Sequence, residues 1–196
     1  MNTVIIKYNA GNIYSVDYAL KRLGVEANVT ANMEEISKAD KVIFPGVGEA
    51  ATTMKYLQET GLGKFIKELK QPVLGICLGM QVMCNHSEEG DVDCLGIFDI
   101  GVKKFIPQRH EDKVPHMGWN TINRTNSDLF KGFGKDEFVY FVHSFYVPAN
   151  EFTAAETDYI LPFSAALHKG NFYATQFHPE KSGKVGERIL KNFLDL

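Results

Sequence analysis

The chain has 196 residues, 44% hydrophobic and 23% charged, an ordinary balance for a globular protein able to bury its own core. A formal net charge of −3 and a pI near 6.1 give no electrostatic reason to expect nucleic acid or an anionic membrane as partner. The opening MNTVIIKYNAG lacks the pattern of a secretory leader, no apolar run approaches the roughly 20 residues that span a bilayer, and three cysteines without framework spacing point to a reducing cytoplasm.

In chain order, a β-rich run predicts a strand over 4–8, broken at Asn9, Gly11 and Asn12. Ile13, Val16, Leu20 and Leu23 then share one face of a helix over 13–23, with Gly24 suited to its C-terminus. A strand over 41–44 ends in Pro45-Gly46-Val47-Gly48, and helical patterns follow over 49–58 and 62–69. Pro72 opens a strand over 73–76, and 78–84 reads as the start of another helix. This alternation predicts an α/β fold with a mostly parallel central sheet flanked by helices. The second half reads as an antiparallel extension: strands over 102–106, 138–147 and 154–160, and a hairpin over 164–177 turning at 169–171. A final helix over 184–194 carries Val185, Ile189, Leu190 and Phe193 on one face. No linker, repeat or low-complexity tract interrupts the pattern, so residues 1–196 read as one domain.

A free cysteine is by default a buried core residue. Cys77, however, stands in Gly75-Ile76-Cys77-Leu78-Gly79 at a strand-to-helix junction, the pattern of a nucleophile elbow. There the helix N-terminus favours thiolate, and the Leu78 N–H would face an oxyanion. On that stretch alone, core cysteine and nucleophile stand level. A nucleophile needs a base and the base an orienter. Gln176-Phe177-His178-Pro179-Glu180 offers both, and in extended backbone His178 and Glu180 would project to the same side. His178 would take the thiol proton and return it to a leaving amine, while Glu180 holds the tautomer. The glycines Gly46 and Gly48 would let the Val47 peptide aim an N–H at developing charge; a plain βα turn explains the same residues equally well.

These segments, with GNIYSV at 11–16, PHMGWN at 115–120, VHSFYV at 142–147 and QFHPEKSG at 176–183, closely resemble the triad-type class I glutamine amidotransferases. Within them they resemble the glutaminase subunits of imidazole glycerol phosphate synthases. The resemblance spans nearly the whole chain and implies the class I amidotransferase fold and hydrolysis of L-glutamine through a Cys77 thioester, with His178 and Glu180 completing a triad. It implies an oxyanion hole at Val47 and Leu78, with Gly46 and Gly48 permitting a peptide flip. Gln81 and Glu89 match positions that hold glutamine's polar groups, and Ser144 and Phe145 the stretch whose backbone holds its carboxylate.

No cofactor or metal is implied. The partner implied is a (βα)₈-barrel cyclase subunit in a heterodimer, which would join the ammonia to a phosphoribulosyl intermediate and release imidazole glycerol phosphate and the carboxamide ribotide AICAR. Asn12, Met117, Trp119 and Lys181 lie in the subunit-specific motifs and are the implied interface. The plain reading of Trp119 is a core residue, and for Lys181 a solvated charge stands level with the interface. Two residues depart from the family pattern: Lys7 replaces a frequent acidic residue, and Phe145 a frequent tyrosine. The alternative within the superfamily is a glutaminase feeding sugar amidation in surface-glycan assembly. A zinc site from Cys77, Cys84, Cys94 and His86 is disfavoured, because no C-x₂₋₄-C pair exists.

Overall fold

The computed structural model describes residues 1–9, 12–123 and 125–196, so Gly11 of the predicted strand break lies outside the described residues. The first half runs β1 (Thr3–Ile6), α1 (Ile13–Arg22), β2 (Ala27–Thr30), α2 (Met33–Ser37), β3 (Lys41–Gly46), α3 (Ala50–Glu59), α4 (Leu62–Glu68), β4 (Val73–Cys77) and α5 (Leu78–Met83). Short strands β5 (His86–Ser87), β6 (Val92–Asp93) and β7 (Gly101–Lys104) precede a pair formed by β8 (His116–Thr121) and β9 (Phe138–His143). Then come β10 (Phe145–Tyr146), β11 (Thr153–Asp158), β12 (Pro162–Lys169), β13 (Phe172–Thr175) and α6 (Gly183–Leu194).

Seven strands form the main sheet in the order β11-β12-β13-β4-β3-β1-β2. Pairing is parallel from β13 to β2 and antiparallel from β11 to β13. Strand alternation builds the two core layers. Val4, Ile6, Val42 and Phe44 pack with Met54, Leu57 and Ile66 of α3 and α4 on one face. Ile5, Ile43, Leu74 and Ile76 pack with Leu20 of α1 and Ile189, Leu190 and Phe193 of α6 on the other. Each such side chain, fully buried, stabilises the fold by about 1.5–3 kcal/mol.

Two expectations need correction. The strand over 138–147 is two strands: Ser144 interrupts it, and β10 leaves β9 to pair with β7 in a separate four-stranded sheet. The segment after His178 is not extended either. Pro179–Lys181 is a 3-10 turn with Pro179 at its first position, where the fixed φ of proline suits a helical start. The strands β2 and β8 carry no run of apolar alternation; β2 is a half-exposed edge strand of sequence ANVT.

Candidate active site

The carboxyl ends of three adjacent parallel strands, β3, β4 and β13, converge, the usual place for a site in an open α/β sheet. Cys77 ends β4 and precedes α5 with φ 53° and ψ −107°, a left-handed conformation that costs a non-glycine residue about 1–3 kcal/mol. Contact requires glycine at Gly79 and, across in β3, at Gly46. A Cβ on Gly79 would stand 2.1 Å from the Phe44 carbonyl oxygen, and one on Gly46 would stand 2.6 Å from the Gly79 nitrogen. The sharp elbow is therefore packed directly against β3, with Gly46 in register with Cys77.

His178 follows β13, and its backbone is strapped to β9. Its N–H donates to the Tyr140 carbonyl at 2.9 Å, the Tyr140 N–H donates to Ser182 Oγ at 2.9 Å, and the Ser182 hydroxyl donates to the His178 carbonyl at 2.6 Å. The side chain is 1% exposed, with Nδ1 2.8 Å from Glu180 Oε1. The two meet through the 3-10 turn rather than by strand alternation. Burial disfavours the imidazolium, but the Cys77 sulfur and the Glu180 carboxylate, by charge and hydrogen bond, outweigh it and raise the His178 pKa to about 10. Nε2 is buried and, among the described residues, makes no hydrogen bond of ordinary geometry.

Cys77 and His178 share a cavity of about 380 Å³ with Val47, Gly48, Leu78, Gln81, Glu89, Ser144 and Phe145. Gly46 lies just behind it in β3, beneath Tyr8, whose hydroxyl donates to the Pro45 carbonyl at 2.7 Å and anchors the loop leading to Val47. Glu89 accepts the Ala50 N–H at 2.8 Å, holding the first residue of α3; burial, only partly opposed by that bond, raises its pKa. Gln81 donates Nε2 to the Phe145 carbonyl and to Gln176 Oε1, both at 3.0 Å, which fixes its amide with the carbonyl oxygen left for a ligand. The Ser144 and Phe145 carbonyls accept from the Phe105 N–H and from Gln81 and His143, so a carboxylate bound there must take backbone N–H groups.

The four remaining sequence candidates lie outside the cavity. Asn12 Nδ2 donates to Glu180 Oε1 at 2.7 Å. Lys181 is exposed. Met117 and Trp119 are 62% and 56% exposed on the outer face of the β8–β9 pair, near Phe138 at 50%, so the single tryptophan is not in the core. Burial raises the Cys84 and Cys94 thiol pKa values, the latter to about 12, and neither lines the cavity. Among the described residues no cluster of His, Cys, Asp and Glu is arranged to hold a metal ion.

Three residues of this region carry roles that the sequence reading did not assign. Gln176 Nε2 donates to Cys77 Sγ at 3.7 Å. His143 Nδ1 donates to the Phe145 carbonyl at 2.7 Å, so its bare Nε2 must accept from His116 Nδ1, 3.0 Å away. Burial lowers the two imidazole pKa values to about 3 for His143 and about 4 for His116. His116, His143 and Gln176 lie within PHMGWN, VHSFYV and QFHPEKSG, but nothing in the sequence shows that they point inward.

A family model described as glutamine amidotransferase class-I matches residues 4–196. The chain is 75% identical to the imidazole glycerol phosphate synthase subunit HisH of Bacteroides thetaiotaomicron, over 196 residues covering 100% of both chains. It is 45% identical to the same-named subunit of Idiomarina loihiensis, covering 100% of this chain and 98% of that one. Two solved structures share the fold. A glutamine amidotransferase aligns at TM-score 0.75 and 21% identity, covering 98% and 97% of the two chains. PurLQS from Thermotoga maritima aligns at TM-score 0.71 and 16% identity, covering 99% and 97%.

Proposed function

From the premise that the chain belongs to the class-I glutamine amidotransferases, in the branch of HisH subunits of imidazole glycerol phosphate synthase, we propose how it works as a glutaminase. Cys77, as thiolate paired with the His178 imidazolium, attacks the side-chain amide carbon of L-glutamine. The tetrahedral oxyanion is held by the N–H groups of Val47 and Leu78, with Gly46 and Gly48 giving the loop its freedom. His178 passes its proton to the departing nitrogen, ammonia leaves, and a thioester remains. Water, deprotonated by His178, cleaves the thioester to glutamate, and the proton returns the pair to its starting state. Glu180 holds the imidazole from Nδ1. Gln81 and Glu89 receive the α-ammonium group, and backbone N–H groups of Ser144 and Phe145 receive the α-carboxylate.

The observation that carries this reading is the cavity in which Cys77, at positive φ, meets His178, itself bonded to Glu180 at 2.8 Å. Full-length identity of 75% to HisH subunits favours histidine biosynthesis over sugar amidation. The partner is the (βα)₈-barrel cyclase, which takes the ammonia and forms imidazole glycerol phosphate and AICAR in the cytoplasm. The exposed apolar face of Met117, Trp119 and Phe138 supports docking of a second subunit, and Asn12 and Lys181 belong to the same contact. The whole chain acts as one glutaminase domain. Among the described residues no helix is long and apolar enough to cross a membrane.

The test is Cys77→Ser in a complex with a candidate cyclase. Glutamine-dependent synthesis is expected to vanish while ammonium-dependent synthesis persists. Equal loss of both would overturn the division of labour.

A further inference from the structure

Gln176 is fully buried between two groups that the proposed chemistry uses separately. Its Nε2 donates to Cys77 Sγ at 3.7 Å, and its Oε1 accepts from Gln81 Nε2 at 3.0 Å. The second hydrogen of Gln81 goes to the Phe145 carbonyl, which also receives the His143 Nδ1–H. Both ends of the Gln176 amide are thus committed, and its orientation is fixed: the donor must face sulfur because the acceptor faces another amide donor. The Gln176 N–H aimed at sulfur favours the anion, against burial and against the Val142 carbonyl, 3.9 Å from the same sulfur, to which a thiol would donate. An acceptor that pins the Gln81 nitrogen leaves the Gln81 carbonyl pointed at whatever enters the cavity.

We infer that Gln176 is a positioning residue that couples the nucleophile to substrate recognition, holding Cys77 as an oriented thiolate with one end of its amide and aligning Gln81 for the glutamine α-ammonium with the other. The inference rests on the glutaminase reading for the identity of the substrate, but its action on Cys77 can be read without substrate. No bond is made or broken by Gln176.

Two substitutions separate the two ends. Gln176→Glu keeps size and keeps an acceptor for Gln81, but turns a carboxylate oxygen towards sulfur in place of a donor. Gln176→Met fills the space and removes both contacts. The titratable groups around the sulfur (His178, Tyr8, His143 and Glu89) are unchanged in either variant.

Cys77 alkylation by iodoacetamide, followed by mass spectrometry across pH, reports the thiolate directly. The midpoint is expected to rise by about one pH unit or more in Gln176→Glu, through like charge and a lost donor, and by less in Gln176→Met. Glutamine KM should rise about tenfold in Gln176→Met and stay near its starting value in Gln176→Glu, where Gln81 keeps its acceptor. Thermal unfolding of each variant identifies loss of fold, and the alkylation shift in whichever variant folds decides the first half of the inference. An unchanged midpoint in the folded variants overturns it, as does a KM that rises equally in both. A protein whose Cys77 titrates as expected but which never hydrolyses glutamine would sink the glutaminase reading and leave the Gln176–Cys77 contact standing.

Discussion

Asn12 donates its side-chain N–H to Glu180 at 2.7 Å, on the same carboxylate oxygen that His178 approaches at 2.8 Å. Asn12 sits at φ 71° before α1, a conformation asparagine tolerates better than most residues, and its side chain makes no capping bond to that helix. The amide is committed to Glu180 instead. A residue expected at a subunit interface therefore also buttresses the orienter of the imidazole from the opposite end of the chain.

Asn12→Ala removes a hydrogen bond to a charged group, worth about 1.5–3 kcal/mol. The isolated chain should lose about tenfold or more in glutaminase kcat with KM little changed, because the contact orients the base and not the substrate. Steady-state kinetics without the partner subunit checks this. A variant with normal kcat alone and weakened affinity for the partner subunit would assign Asn12 to docking only.

Gly79→Ala should be among the most damaging single substitutions in the chain. The new Cβ would lie 2.1 Å from the Phe44 carbonyl oxygen, a backbone atom of a central strand that has no rotamer through which to yield. Overpacking of a core typically costs about 1–3 kcal/mol, and a backbone obstacle puts this case at the upper end or beyond. Urea unfolding of Gly79→Ala beside Gly48→Ala, where no atom lies within 4 Å of the added Cβ, separates crowding from strain at positive φ. Equal stability in the two variants would refute the crowding argument.

The elbow shows why some features were legible and others were not. Gly75, Cys77 and Gly79 are local: strand, turn and helix start lie within five residues, and sterics alone imposes glycine at 79. The helices α1, α3, α4 and α6 declared themselves by apolar spacing, and each begins within one residue of its predicted start. The Asn12–Glu180 and Gln81–Gln176 contacts join residues far apart in the chain, and no spacing rule reaches that far. The strand break at Ser144 was hidden for a different reason. FVYFVHSFYV has uninterrupted β-propensity, and the change of sheet is set by pairing of Phe145 with Lys104. The His178–Glu180 pairing was anticipated through the wrong backbone, because proline opens a 3-10 turn as readily as it stiffens an extended segment.

The buried imidazoles predict acid lability. Unfolded histidines titrate near 6.5, whereas burial holds His116 and His143 neutral in the fold down to about 4 and about 3. Below pH 6.5 the unfolded chain therefore binds protons that the native chain refuses. Stability is full above 6.5, falls as pH falls, and the loss ends near each folded-state value. Each group contributes about 1.4 kcal/mol per pH unit once well below 6.5, so the two together remove about 4 kcal/mol by pH 5. Urea midpoints between pH 7 and 5 measure the slope. His116→Phe, whose ring can stack on Phe141 and Tyr159 as the imidazole does, should remove about half of it. A flat profile over that range would contradict the assigned neutral states.

The strap around His178 has a mechanical meaning. Trp119 is paired in register with Tyr140, and the Tyr140 carbonyl holds the His178 N–H at 2.9 Å. A protein seated on the Trp119 face therefore rests one ladder rung from the backbone of the imidazole. With Ser182 closing the loop of bonds, three hydrogen bonds tie the β8–β9 ribbon to the backbone of His178. The ribbon is a short lever whose load end is at the surface and whose working end is the histidine beside the sulfur.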